Sequence, residues 1–138
     1  MARILALLAL AAVLTASCAA AEPQVDVGKG QIRADLREHV ISLTSTEVRA
    51  GTVTFQVRNG GSIAHDFIVI KTDLAPDKLP VDANTQKARD EGRVGGVDEL
   101  APGTTANLRL DLAPGHYVII CNVPTHYQLG MRTELRVN

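Results

Sequence analysis

Cysteine is almost missing from this chain, with only Cys18 and Cys121 among 138 residues. Cys18 falls in an amino-terminal stretch with the layout of an export signal, so the rest of the chain keeps Cys121 as its one thiol. A disulfide framework is thereby excluded, and a lone cysteine in an exported protein needs another use. Charge of one sign is lacking too: 14 Lys and Arg face 15 Asp and Glu. Such balance argues against nucleic acid as a partner, which requires a clustered basic surface. No repeat or low-complexity tract is present. The longest apolar run, Ile4 to Leu14, is eleven residues and too short to span a bilayer as a helix.

That run follows the positive start Met1-Ala2-Arg3 and precedes small residues, which predicts a secretory signal. Two processing readings stay open. Leu14-Thr15-Ala16-Ser17-Cys18 resembles a bacterial lipobox, with the Leu one residue further from the Cys than usual. That reading gives a signal over 1–17 and a lipidated Cys18. Cleavage after Ala19-Ala20-Ala21 instead gives a signal over 1–21 and a free start at Glu22. Residues 22–31 are polar, carry Pro23, Gly28 and Gly30, and read as a linker. Removing residues 1–21 leaves 117 residues and takes the formal charge from −1 to −2, a comfortable size for one domain.

Beyond the linker the periodicity is that of strands. Val53, Phe55 and Val57 alternate with polar residues, and Asn59-Gly60-Gly61 turns the chain. His65 to Ile70 is apolar on both faces and reads as a central strand. Ala106, Leu108 and Leu110 alternate after Pro102-Gly103, as do Leu135 and Val137 at the end. Ile32 to Leu43 is apolar but less regular. Short strands separated by turn signals predict an all-β sandwich. The charged stretch 72–96 interrupts this pattern: it is a long loop or holds a short helix over Asn84–Gly92, with Gly92 as its stop. It serves either as a solvated connection between sheets or as a flap beside a functional end.

The chemistry gathers in Cys121-Asn122-Val123-Pro124-Thr125-His126-Tyr127-Gln128-Leu129-Gly130-Met131, a Cys-x4-His-x4-Met pattern. Soft sulfur selects copper(I), and imidazole suits either oxidation state. His65, at the start of an apolar strand, supplies a second imidazole. With Pro114 to Ile120 leading into it, this loop resembles that of the cupredoxins, the small blue (type 1) copper proteins, over residues 32–138. Four residues in each gap look most like the rusticyanin, sulfocyanin and auracyanin branch. The resemblance implies a Greek-key β-sandwich, and one type 1 copper ion bound by His65, Cys121, His126 and Met131. It further implies a surface-facing His126 ringed by Pro124, Leu129 and Gly130. Asp66 departs from the family, which commonly has Asn after the first histidine. An Asn there ties the two ligand loops by donating a hydrogen bond, and ionised Asp only accepts.

The other histidines are set aside. His116 precedes Cys121 by five residues, about 16 Å along a strand and too far to share a metal. His39 sits among charged residues and is expected to face solvent. Four histidines without a His-x-His pair exclude a multicopper oxidase, and one thiolate excludes a dinuclear copper-A centre. Zinc is disfavoured because methionine is a poor ligand for it. A Cys-His hydrolase would leave the methionine loop without a purpose and shows no oxyanion-stabilising loop. The expected protein is therefore not an enzyme. It is an electron carrier of the bacterial periplasm or a cell-envelope lipoprotein anchored at Cys18, a monomer serving cytochromes, oxidases or reductases. The alternative is a copper chaperone or resistance protein, which the scarcity of methionine opposes.

Overall fold

The computed structural model describes residues 30–138. The expected signal segment, Cys18 and the linker up to Lys29 lie outside the described residues. Eleven strands and no helix make up the described part. β1 (Gln31–Arg37), β2 (Val40–Leu43), β4 (Gly51–Asn59) and β9 (Thr105–Leu112) form one sheet in the order β2-β1-β4-β9. β3 (Glu47–Val48), β5 (His65–Lys71), β8 (Arg93–Leu100), β10 (Gly115–Ile120) and β11 (Arg132–Val137) form the other, ordered β3-β11-β10-β5-β8. β1 runs parallel to β4 and β3 parallel to β11, while the remaining pairs in both sheets are antiparallel. This is the expected all-β Greek-key sandwich.

Alternation decides which side chains meet between the sheets, because successive strand residues point to opposite faces. Ile32, Ala34 and Leu36 of β1 and Val53, Phe55 and Val57 of β4 face Phe67 and Val69 of β5, Tyr117 and Ile119 of β10, and Leu135 and Val137 of β11. Phe55 and Phe67 touch with ring centroids 5.4 Å apart and planes tilted by 56°. Ile32 to Leu43, irregular as one run, resolves into β1 and β2 with a tight turn at Glu38-His39, where His39 has φ 63°.

β5 and β10 are apolar on both faces, and the second face has its own cover. Ile68, Ile70, Val118 and Ile120 pack against Leu79, Ala88 and Tyr127 in a separate buried cluster. Leu79 and Ala88 come from the 72–96 stretch, so this segment is a third layer over the five-stranded sheet. Its expected helix is absent. β6 (Val81–Asp82) and β7 (Lys87–Ala88) instead form a short hairpin. The Asp82 carboxylate closes its turn by accepting from Asn84 N, Thr85 N and Thr85 Oγ1. The residue types around 84–91 suit a helix, but an Asp that satisfies the next backbone N–H groups favours a turn. Gly92, the supposed helix stop, takes φ 89° just before β8 joins the sheet beside β5.

Candidate metal centre

Three strand ends and one loop converge at a single end of the sandwich. His65 is the first residue of β5, Cys121 follows the last residue of β10, and Met131 precedes the first residue of β11. His126 lies in the loop between. The loop closes on its own backbone: Cys121 N donates to Met131 O, Met131 N to His126 O and His126 N to Val123 O, each at 3.0 Å. Antiparallel pairing of β10 with β11 and with β5 therefore fixes where residues 121, 131 and 65 stand.

The donor atoms face one another. Cys121 Sγ lies 3.4 Å from His126 Nδ1 and 3.8 Å from His65 Nδ1. One donor atom from each of the three residues fits within 4.8 Å of the others. A first-row metal with bonds of about 2.0–2.3 Å would need trigonal donors about 3.7 Å apart, which matches this spacing. His65, Cys121 and Met131 have no exposed surface and His126 has 7%. Met131 belongs to the same buried cluster as Cys121. Burial pushes the Cys121 thiol up from its ordinary range. Burial also holds both imidazoles down, helped at His65 by His126 and at His126 by His39. Neutral imidazoles keep a lone pair for a metal, and binding then has one proton to displace, that of Cys121. The donor set fits copper, since two imidazoles, a thiolate and a thioether are what its electron-transfer sites use.

Around these residues the structure places others whose hydrogen bonds shape the site. Asn59, fully buried, donates through Nδ2 to Ile63 O and Leu100 O and accepts from Gly61 N, which shapes the loop leading into His65. Asp66 N donates to Cys121 Sγ at 3.3 Å. The Asp66 side chain accepts from Glu99 N on β8, across the irregular register between β5 and β8. Asn122 ties the 121–131 loop to the 72–96 segment: its amide pairs both ways with Ala88, accepting at 2.8 Å and donating at 2.9 Å. A polar side chain beside an apolar strand was the available signal for Asn122, and its partner lies 34 residues away.

The 72–96 segment grips this loop at further points, among them the donation of Gln128 Nε2 to Gln86 O at 3.1 Å. Thr125 N donates to Gln86 O, Tyr127 Oη accepts from Leu79 N, and the same hydroxyl donates to Pro76 O. It is therefore a strap beside this end of the sandwich, bonded to the loop it covers through buried Leu79 and Ala88 while most of its other side chains stay exposed. His39 also differs from expectation. It is half-buried, with its ring edge-on to His126 at 5.3 Å between centroids and Nδ1 buried with no hydrogen-bond partner among the described residues. The β1–β2 turn carries it to this end, which its charged sequence neighbours do not reveal. His116 stays away from the site, bonding Thr72 O and Glu134.

Comparison with known proteins agrees with this geometry. Residues 29–138 match the family model of copper binding proteins, plastocyanin/azurin family. Among curated proteins none matches by sequence. Dithionite-reduced auracyanin from Roseiflexus castenholzii is 22% identical with a TM-score of 0.61, covering 80% of this chain and 98% of its own. Rusticyanin from Thiobacillus ferrooxidans is 16% identical with a TM-score of 0.59, covering 78% and 76%. An azurin from Methylomonas sp. strain J is 16% identical with a TM-score of 0.58, covering 78% and 97%. These solved structures share the fold.

The strap makes a measurable contribution. Tyr127→Phe keeps the ring in its cluster but strips Leu79 N and Pro76 O of their partner. It is expected to lower the stability of the metal-free protein by about 1–3 kcal/mol. Urea unfolding of both forms checks this, and equal midpoints would show that the strap does not brace the loop.

Proposed function

Because the chain belongs to the plastocyanin/azurin family of copper binding proteins, a cupredoxin with one type 1 copper, we propose that it is an electron carrier. In this reading His65, Cys121, His126 and Met131 are the ligands. The observation that carries it is the convergence of two imidazole Nδ1 atoms on a buried cysteine sulfur. Bound copper supplies a one-electron couple between copper(I) and copper(II). The chain's own part is to hold the donors still, so that little rearrangement accompanies transfer. The loop's internal hydrogen bonds, the Asn122–Ala88 pair and the Tyr127 hydroxyl do this.

His126 alone of the four reaches the surface, and exposed apolar side chains stand beside it in sequence or by contact. Leu129 of the same loop is 57% exposed, and Val40 adjoins His39, which touches His126. With exposed Pro124 and half-buried Gly130 this offers an apolar face where a redox partner of the envelope docks and electrons pass through His126. Complete burial of His65, Cys121 and Met131 supports a carrier over a chaperone, which must release its metal to another protein. No helix among the described residues is long and apolar enough to cross a membrane. We place the protein outside the cytoplasm, as a monomer and not an enzyme, either free with its start at Glu22 or anchored by a lipid on Cys18.

Three outcomes are expected. The oxidised copper protein shows an intense visible thiolate-to-copper band, and Cys121→Ser abolishes it. A colourless protein that holds only copper(I) would overturn the carrier reading. Met131→Gln, with a harder oxygen donor, lowers the potential, and Met131→Leu, with none, raises it. Redox titration giving no shift in either variant would remove Met131 from the ligand set. If Cys18 carries the lipid, Cys18→Ala moves the protein from the membrane pellet to the soluble fraction with copper binding intact. An unmodified chain starting at Glu22, seen by mass spectrometry, would exclude the anchor.

A further inference from the structure

His65 turns Nδ1 toward Cys121, which leaves Nε2 on the far side of its ring. That nitrogen is buried and has no hydrogen-bond partner among the described residues. A metal-bound histidine ordinarily gives its second N–H to a carboxylate, a carbonyl or water. Here the charged group beside it is Glu38, with Oε1 3.9 Å from Nε2.

Glu38 is held there from the opposite side. Both the backbone N–H and the hydroxyl of Ser62 donate to Oε1. As a partly exposed carboxylate that accepts both of these bonds, Glu38 carries its ordinary negative charge in the neutral range. Gly61 leaves the necessary gap: a Cβ at this position would stand 2.7 Å from Glu38 Oε1 and 3.0 Å from His65 Nε2. The other acid adjoining His65, Asp66, directs Oδ1 to Glu99 N instead.

We propose that Glu38 is the outer anion of His65, a positioning residue that fixes Nδ1 as the metal-facing nitrogen and favours copper(II) over copper(I). This rests on His65 being a copper ligand. At 3.9 Å the pair is too long for a direct hydrogen bond, so the carboxylate acts by its charge or through a bridging water. Both routes have one sign. Negative charge beside the imidazole stabilises the more positive state of the metal, and a carboxylate accepting from the N–H raises the basicity of the ligand. The β1–β2 turn thus reaches both imidazoles, Glu38 beside His65 and His39 against His126.

The test compares the copper-loaded wild type with Glu38→Gln and with Asp111→Asn by redox titration. Asp111 pairs with Thr52 near the start of β4, at the end of the sandwich away from His65, so it removes one charge without touching the site. Glu38→Gln is expected to keep the blue band while shifting the copper(I)/copper(II) preference about tenfold toward copper(I). That corresponds to a potential about 59 mV higher for one electron. Asp111→Asn should leave the potential in place. Nitrogen-15 NMR of the metal-free wild type gives a readout independent of copper, and His65 should be the tautomer with its proton on Nε2. If Glu38→Gln does not fold, Glu38→Ala, which removes the same charge, should give a rise of the same sign. Blue proteins with equal potentials, or a His65 proton on Nδ1, overturn the role of Glu38 and leave the ligand set standing. A wild type without the blue band overturns both.

Discussion

A thiol and two imidazoles buried side by side are costly unless their lone pairs are used, and the structure around residues 121–131 is organised by that constraint. Sγ of Cys121 is within reach of both Nδ1 atoms and of the Asp66 backbone N–H, which together leave the sulfur in a polar recess of an apolar core. The core is what makes the recess stable. Tyr117, Ile119 and Cys121 lie on one face of the same strand line, so the residue that carries the chemistry continues a row whose other members pack between the sheets. The site is an extension of the sandwich, not an attachment to it.

A second layer follows from the same strand. Val118 and Ile120 point the other way and need cover, which the 72–96 strap provides through Leu79, Ala88 and Tyr127. Once lodged there, the strap is placed to bond Asn122, Thr125 and Tyr127 of the loop. Apolar burial brings the segment down, and directional hydrogen bonds convert its proximity into a brace. This division suits a site whose donor positions are held fixed.

Much of this was legible in the residues. Alternation at Val53 to Val57 and the doubly apolar run from His65 to Ile70 reveal strands because side-chain direction has a period of two. The Cys121, His126 and Met131 spacing reveals a donor set because the donor chemistry is rare. The hairpin at 81–88 was misread because residues 84–91 have helix-forming character, and what overrides it is the Asp82 carboxylate closing the turn together with the Asn122–Ala88 pair from far along the chain. Glu38, His39 and Asn59 escaped for a related reason. Each is a polar residue in or beside a turn, and only the parallel pairing of β1 with β4 carries Glu38 and His39 to the end where β5 begins.

The separation of the donors along the chain affects how the protein matures. Cys121 and His126 are five residues apart, so an unfolded chain already presents a thiolate and an imidazole as a local pair. His65 lies 56 residues upstream of Cys121 and joins them only when β5 has paired with β10. A metal ion captured early would bind the unfolded chain as well as the native one, and such binding subtracts from the stability it gives the native state. In the proposed site the net stabilisation by metal is then what His65 and the burial of the donors add. That makes completion of the β5–β10 ladder, a slow non-local step, the point at which capture becomes secure.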